Sequence, residues 1–436
     1  VRLGARRGAA MQRFLALLAL APSVAALLPS QVTHSRSVVR LARAAAPRLA
    51  ARFAVGVDVG TGSARAGVVD VSTGELCGVH KQDIVLFNPL PEYYEQSSDD
   101  IWSAVCNCVR GALAAAKASP DDVCGVAFDA TCSLVLLDGD DQPVGVDPTV
   151  PDDAARNVIV WMDHRAEKQA SRINMVGHPR LANVGGAISP EMEIPKLLWL
   201  KENLPGTFGA TVGAGAKGKA LDLSDFLAYK AVDGKGHARS LCTTVCKWNY
   251  DATASTRQWD RSFFASVGFD EAELAVSSIG EEVLAPGVPM PGGGVGPSAA
   301  AALGLNPGTP VGIGMIDAHA GGIGCLGASI SGGATKKATT EEPATKESRR
   351  KEPTTDEPAI EARLGLIAGT STCHMASSTE PCFVPGVWGP YYSAMFPELH
   401  LNEGGQSAAG AMLDFLISSH PAGAAVTAAA AAAAAA

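Results

Sequence analysis

Residues 53–65, Phe-Ala-Val-Gly-Val-Asp-Val-Gly-Thr-Gly-Ser-Ala-Arg, constrain the chain more than any other stretch. Val55 and Val57 are β-branched residues two apart that run into Gly-Thr-Gly-Ser, so the pattern predicts a buried strand entering a tight hairpin, with Asp58 near its end. Two readings fit such a turn. One is a plain hairpin of type I′ or II′, in which glycine supplies the positive φ. The other is a phosphate cradle: Gly60 and Gly62 permit close approach, Thr61 and Ser63 add hydroxyls, and closely spaced N–H groups face an anion. In that reading Asp58 is the acid that would hold a divalent metal. The dinucleotide fingerprint is excluded, because residues 64–71 resume strand-like alternation where a helix should open. A P-loop is excluded as well, since no Gly-Lys-Ser/Thr follows.

Before this stretch lies a basic leader. Residues 1–52 hold nine arginines and no acid or lysine, so with an overall net charge of −9 the remainder carries −18. An acidic body gives nucleic-acid binding no compositional support. Within the leader, residues 14–26 have the length of a signal-peptide core, and residues 31–52 have the Arg-, Ser- and Ala-rich character of a transit segment. The expected destination is an organelle such as a plastid, or the cytoplasm if the leader is no address. The ten cysteines are scattered, and neither Cys106/Cys108 nor Cys242/Cys246 has zinc-pair spacing matched by a second pair. They read as reduced core thiols of an intracellular compartment. Outside the leader, no run approaches a membrane span before the terminal alanines, so no membrane partner is expected.

The length and the 47% hydrophobic fraction suit two globular domains. Three short strands are expected over 53–85, then a helix over 99–118 whose apolar residues recur at helical spacing behind Asp99 and Asp100. Further strands are expected over 121–128, 134–137 and 158–162, and helices over 196–204, 221–232 and 259–267. Pro- and Gly-rich sequence at 285–296 marks a crossing between domains. Beyond it come a strand over 310–315 reaching Asp317, a small-residue helix over 318–326 and a strand over 365–368. The domains are therefore drawn as a leader (1–52), a first domain (53–285) and a partial second domain (286–420), followed by an alanine-rich low-complexity tail (421–436). Residues 329–363, rich in Thr, Lys, Glu and Pro, read as a disordered insertion in the second domain.

Six blocks in order then carry a resemblance. They are Val57 to Arg65, Asp129-Ala130-Thr131-Cys132, Trp161-Met162-Asp163-His164-Arg165, Gly314-Met315-Ile316-Asp317-Ala318-His319, Gly369-Thr370-Ser371-Thr372-Cys373-His374 and Glu403-Gly404-Gly405-Gln406-Ser407. Together they resemble the FGGY carbohydrate kinases, and within them the ribulokinase-like branch. The resemblance implies an α/β, ribonuclease-H-like two-domain fold of the actin, hexokinase and heat-shock protein 70 superfamily. It further implies phosphate transfer from ATP, with Mg²⁺, to a hydroxyl of a ketopentose such as D-ribulose. Glycerol is disfavoured, because glycerol kinases carry Asn-Gln-Arg-Glu where this chain has residues 129–132.

Residue by residue, the resemblance makes Asp317 the catalytic base; read alone, Asp317 is better taken as a helix N-cap. Gly369, Thr370 and Ser371 become a second phosphate turn, opposite Gly60, Thr61, Gly62 and Ser63, and Asp58 the Mg²⁺ ligand. Thr131, Cys132, Asp163, Lys247, Asp317 and Glu403 line the sugar, with Lys247 offering donors and Glu403 acceptors to vicinal hydroxyls. Asp163 and Arg165 are expected to pair in the substrate wall and Arg65 to brace the hairpin, while His164, His319 and His374 receive no step. The expected partners are sugar and ATP, and the expected assembly a homodimer.

The family's pattern continues past the Glu-x-Gly-Gln-Ser block into a Gly-Gly-x-x-Lys/Ser segment at the adenosine, which this sequence lacks. Two expectations follow: a kinase whose second domain is incomplete in this sequence, or a non-catalytic sugar-binding or regulatory pseudokinase. A heat-shock-type ATPase is disfavoured, because it needs neither the wall at 161–165 nor a base followed by Ala-His.

Overall fold

The computed structural model describes residues 52–269, 274, 276–327, 359–369, 371–406 and 408–435. The expected leader, Arg52 aside, lies outside them, as do most of the expected insertion (328–358), Thr370 and Ser407.

The opening meander forms as expected. β1 (Phe53–Gly60), β2 (Ser63–Asp70) and β3 (Leu76–Asp83) pair antiparallel in sequence. Val55, Val57 and Val59 stand opposite Val68, Ala66 and Ala64, and all six enter the largest core. The helix Ser98–Ala116 packs on this meander and buries Ile101, Val105, Cys108 and Val109. Ser97 caps it by accepting the Asp100 N–H, and Asp99 and Asp100 complement its N-terminal dipole.

Contact between the two layers is close. A Cβ at Gly78 of β3 would lie 2.4 Å from the Ala112 carbonyl oxygen and 2.5 Å from the Ala116 nitrogen. Both are backbone atoms, so no rotamer change relieves the clash. Gly78→Ala is expected to cost about 1–3 kcal/mol, seen as a lower unfolding midpoint; an unchanged midpoint would show that the helix lifts without loss.

The remaining strands build two further sheets and two small pairs. β4 (Glu95–Gln96) precedes the helix, and β5 (Val123–Ala130) follows it parallel to β1. β6 (Leu134–Leu137), β7 (Val158–Ile159) and β8 (Lys219–Asp222) join β4 in the order β4-β7-β6-β8. β9 (Ala238–Ser240), β10 (Asp251–Ala252), β11 (Arg257–Gln258) and β12 (Glu282–Leu284) make the pairs β12-β9 and β10-β11. β13 (Met315–Ile316) lies parallel to β5, so the first sheet reads β13-β5-β1-β2-β3. β14 (Leu364–Ala368), β15 (Thr372–Ser378), β16 (Trp388–Tyr392) and β17 (His400–Gln406) form an antiparallel sheet in the order β14-β15-β17-β16.

Some boundaries differ from expectation for local reasons. The helix expected over 221–232 begins at Leu223, because Leu221 and Asp222 still pair with Val135 and Leu134 in β8. The strand expected over 310–315 is reduced to Met315–Ile316 plus a bridge from Val311 to Val126, since one extra residue lies between Val311, opposite Val126, and Met315, opposite Asp129. The alanine tail is a helix, Gly423–Ala435, in keeping with alanine's intrinsic preference. Before it, the helix Ala409–Ser419 leaves Leu413, Phe415 and Leu416 exposed. No single helix among the described residues is long and apolar enough to cross a membrane.

Buried charge ties the second sheet to its neighbours. Arg239, fully buried, donates to Asp222 and Asp225 at 2.6 Å each and to the carbonyls of Ala220 and Ile279, and it stacks on Trp248 with 4.6 Å to the ring centre. All ten cysteines are free thiols, and Cys106, Cys108, Cys132, Cys242 and Cys246 are buried.

Candidate active site

The hairpin that closes β1 onto β2 pairs Gly60 with Ser63 across Thr61 and Gly62. Neither Thr61 nor Gly62 has a positive φ, so this is not the I′ or II′ turn of the plain-hairpin reading. A Cβ at Gly62 would meet nothing within 4 Å. Neither backbone conformation nor packing requires glycine there, and the open side leaves room for a ligand to reach the backbone. Thr61 is held from behind: its carbonyl accepts from Gln96 Nε2 (2.8 Å) and its hydroxyl oxygen from Trp161 Nε1 (2.9 Å). The Thr61 hydroxyl therefore keeps its own proton to donate. Ser63, expected in the same cradle, is largely buried at the start of β2. Arg65 donates to Asp58 at 2.8 Å and braces the hairpin as expected.

Three carboxylates gather at the ends of adjacent strands. Asp58 pairs in register with Asp129, Asp129 with Met315, and Asp317 follows two residues later at the start of the helix Asp317–Leu326. Burial, with the Asp58 carboxylate next, pushes the Asp317 carboxyl up to about 7. Burial, then Asp58 and Asp317, hold Asp129 well above the usual carboxylate range. Asp317 also accepts the Ala318 N–H at 2.8 Å, yet it makes no N-cap bond to the following turn. Its side chain remains partly exposed.

The residues expected to line the sugar come from several elements. Lys247 ends the buried helix Leu241–Lys247, with its ammonium 4.6 Å from the centre of the Trp388 ring. Burial opposes its charge, but Cys132, Glu403 and Glu191 outweigh that and raise its pKa. Among the described residues no acceptor is hydrogen-bonded to that ammonium, which leaves its donors for a ligand. Glu403 on β17 is held down to about 2 against the effect of burial by its hydrogen bond to His319, by that ring's charge and by Lys247. Thr131 donates its N–H to Val59 and shares its hydroxyl with Ser133 at 3.1 Å, and buried Cys132 lies within electrostatic reach of Lys247 and Asp317.

Asp163 is the exception. It is fully buried, with Oδ1 accepting from the Arg165 backbone and Nε and Oδ2 from Arg165 Nη2 and the Tyr94 N–H. Arg165 also bonds Glu95 and the Val146 carbonyl and faces the rings of Tyr93 and Trp199. The expected ion pair is present, but both oxygens are committed inside the wall, so Asp163 is corrected from sugar ligand to support.

Two features were passed over in the sequence. The Trp161 link to Thr61 is one; the other is His319, fully buried, with Nδ1 3.0 Å from Cys242 Sγ and Nε2 3.1 Å from Glu403 Oε2. Burial opposes charge on the ring, but Cys242 and Glu403 raise its pKa to about 10. The only hint in the sequence was His319 lying two residues beyond Asp317 in the same block.

The second turn joins β14 to β15, with the Gly369 N–H donated to Ser371 O at 2.7 Å; Thr370 lies outside the described residues. The helix Asp317–Leu326 packs on β14 and also touches β1 and β5, so it stands between the two hairpin-bearing sheets. Among the described residues no three His, Cys, Asp or Glu side chains converge to hold a metal by themselves. Mg²⁺, which keeps several waters and shares phosphate oxygens, needs no such cage, and a cation beside Asp58 would offset the charge that raises Asp129 and Asp317. The residues present therefore fit it.

The N-terminal domain profile of the FGGY family of carbohydrate kinases matches residues 53–324, and the C-terminal domain profile residues 364–436. The chain is 46% identical over 371 residues to an FGGY carbohydrate kinase domain-containing protein of Danio rerio, covering 85% of this chain and 62% of that one. It is 38% identical over 391 residues to a D-ribulokinase of Saccharomyces cerevisiae, covering 85% and 50%. Its fold is similar to that of a xylulose kinase from Rhodospirillum rubrum, with a TM-score of 0.62, 18% identity and coverage of 86% and 65%. The chain thus spans half to three fifths of the length of these two curated relatives. Both domain matches, over a fold with two glycine-bearing hairpins, lead to one conclusion: this chain belongs to the FGGY family of carbohydrate kinases.

Proposed function

We propose that this chain supplies the sugar side and the phosphate-hairpin side of an ATP-dependent kinase acting on a ketopentose, D-ribulose or a close relative. The observation that carries the proposal is Asp317. It is a partly exposed carboxylate with raised proton affinity, directly after a strand of the sheet that carries the open Thr61–Gly62 turn, and under the influence of Lys247. A sugar hydroxyl is a poor nucleophile until its proton leaves, so a base poised near neutrality is the group the reaction needs. Asp317 takes the hydroxyl proton as the new O–P bond forms and the bond from the γ-phosphorus to the departing ADP breaks. Lys247 donates to sugar hydroxyls and Glu403 accepts from them, which holds the reacting oxygen in place. The Thr61 hydroxyl and the backbone at Gly60 and Gly62 face the phosphates from one side and the turn at 369–371 from the other. Mg²⁺ would neutralise phosphate charge, with Asp58 holding it directly or through water. The identity to a D-ribulokinase supports a ketopentose over glycerol.

ADP release measured with D-ribulose, L-ribulose, D-xylulose and glycerol tests the reading. D-Ribulose or a close relative is expected to be the best substrate, and a preference for glycerol, or no stimulation by any sugar, would overturn it. The pH profile gives a second check. Because Asp317 acts as carboxylate, kcat/KM should rise with pH, with a limb near the value of about 7 set by burial and Asp58, and level off above it. A profile flat through neutrality would place the base elsewhere.

A further inference from the structure

We propose that His319 is a positioning residue for Glu403, and that Cys242 fixes the hydrogen-bonding state of His319. The inference rests on the reading of Glu403 as a sugar ligand. Three elements contribute: the helix Leu241–Lys247 brings Cys242, the helix Asp317–Leu326 brings His319, and β17 brings Glu403. Cys242 and His319 are fully buried and Glu403 nearly so.

The chemistry at each nitrogen is constrained. An ionised carboxylate only accepts, so the 3.1 Å contact requires a hydrogen on Nε2 of His319. A neutral ring protonated there presents Nδ1 as an acceptor, and the Cys242 thiol 3.0 Å away can supply the hydrogen. If that proton moves from sulfur to Nδ1, the pair becomes thiolate and imidazolium, and Nε2–H is unchanged. In both states the same N–H faces Glu403. Among the described residues neither ring nitrogen has another hydrogen-bond partner, so without Cys242 the buried Nδ1 has nothing to bond, the ring is held at one edge only, and its Nε2–H loses its fixed direction toward Glu403. Cys246 also lies within hydrogen-bonding reach of Cys242, and Cys373 of Glu403, while Lys247 and Asp317 face the group electrostatically, but none of the four bonds the ring.

The consequence for binding is orientation. With Oε2 committed to His319, Glu403 meets an incoming hydroxyl as an ordered acceptor, so less freedom is lost on binding. His319 shares its helix with Asp317, so the segment that presents the base also aligns the sugar-gripping carboxylate.

The test uses the full chain as wild type and as His319→Leu, His319→Gln, Cys242→Val and Cys242→Ser, with kinetics on D-ribulose and ¹⁵N NMR of the imidazole. His319→Leu is expected to raise KM roughly 10- to 100-fold, the scale of one hydrogen bond to a charged group, with a smaller change in kcat. His319→Gln should recover part of that loss, because its amide N–H can reach Glu403. Cys242→Ser should stay near wild type and Cys242→Val should not, because serine can still donate to Nδ1. The proposal is overturned if folded His319→Leu keeps the wild-type KM, or if the glutamine and leucine variants lose KM and thermal stability equally. If wild type binds no ketopentose, the sugar reading fails on its own, and NMR still decides the Cys242 role. An Nδ1 resonance shifted by an accepted hydrogen bond in Cys242→Ser but not in Cys242→Val supports it, and equal spectra overturn it.

Discussion

Asp317→Asn is expected to lower kcat for sugar phosphorylation by roughly 10²–10⁴-fold, the usual contribution of a positioned general base, while the sugar KM moves only a few-fold. Asparagine keeps the shape of the side chain and can still accept the Ala318 N–H that Asp317 accepts at 2.8 Å. It cannot take up a proton at neutral pH. The residues assigned to the sugar's grip, Lys247 and Glu403, lie on other elements and are untouched. Binding and chemistry should therefore separate: sugar binding followed by calorimetry persists while ADP release falls. Retention of kcat within about threefold would remove Asp317 from the proton transfer, since a lost base cannot cost so little.

Arg239→Met should cost about 3–5 kcal/mol of folding stability, the range for breaking a buried ion pair on one side. The arginine serves two carboxylates and two carbonyls at once, and methionine fills part of the volume but none of the bonds. Asp222 and Asp225 would be left buried with unbalanced charge. Asp222 already stands at about 6: burial raises it, Arg239 pulls it down and Asp225 pushes it up. Removing Arg239 raises it further. A carboxyl whose folded-state value lies above its unfolded value stabilises the fold at low pH and loses that contribution as pH rises through the folded value. The penalty in the variant should therefore be smaller near pH 5 than near pH 8, as measured by denaturant midpoints. A penalty that does not change with pH would mean that lost packing on Trp248, not stranded charge, is the cause.

The fold was legible where local pattern and tertiary environment agree. Val55 and Val57 before the glycine turn, and the helical spacing behind Asp99 and Asp100, each announce one element, and each element is present. The pattern misled where neighbours outside the segment decided the outcome. Residues 311–313 look like strand and do touch β5 at Val126, but the register slips by one before Met315 pairs with Asp129, so the pairing breaks into a bridge and a two-residue strand.

The site was legible in its blocks and not in its joints. Asp58, Lys247, Asp317 and Glu403 sit in motifs, but nothing in a sequence says that Cys242 and His319, 77 residues apart, will touch, or that His319 will reach Glu403 84 residues on. Those contacts depend on strand register and helix packing, which no spacing rule encodes. Asp163 shows the reverse error. Its block is at the site, but only the fold reveals that Arg165 and Tyr94 consume both of its oxygens.

The sheet order β13-β5-β1 means that the strand leading to Asp317 and the strand leading to the Thr61 turn are locked through a shared neighbour by backbone hydrogen bonds, while Glu403 belongs to a different sheet. The span from Asp317 to the Thr61 turn is thus set by one backbone ladder, and the contact of His319 with Glu403 is a strut from the Asp317 helix to the other sheet. Under the proposed roles, a hinge between the two sheets would have to bend at that strut, so loosening the sugar would leave the distance from proton acceptor to phosphate turn unchanged only if the strut gives way first.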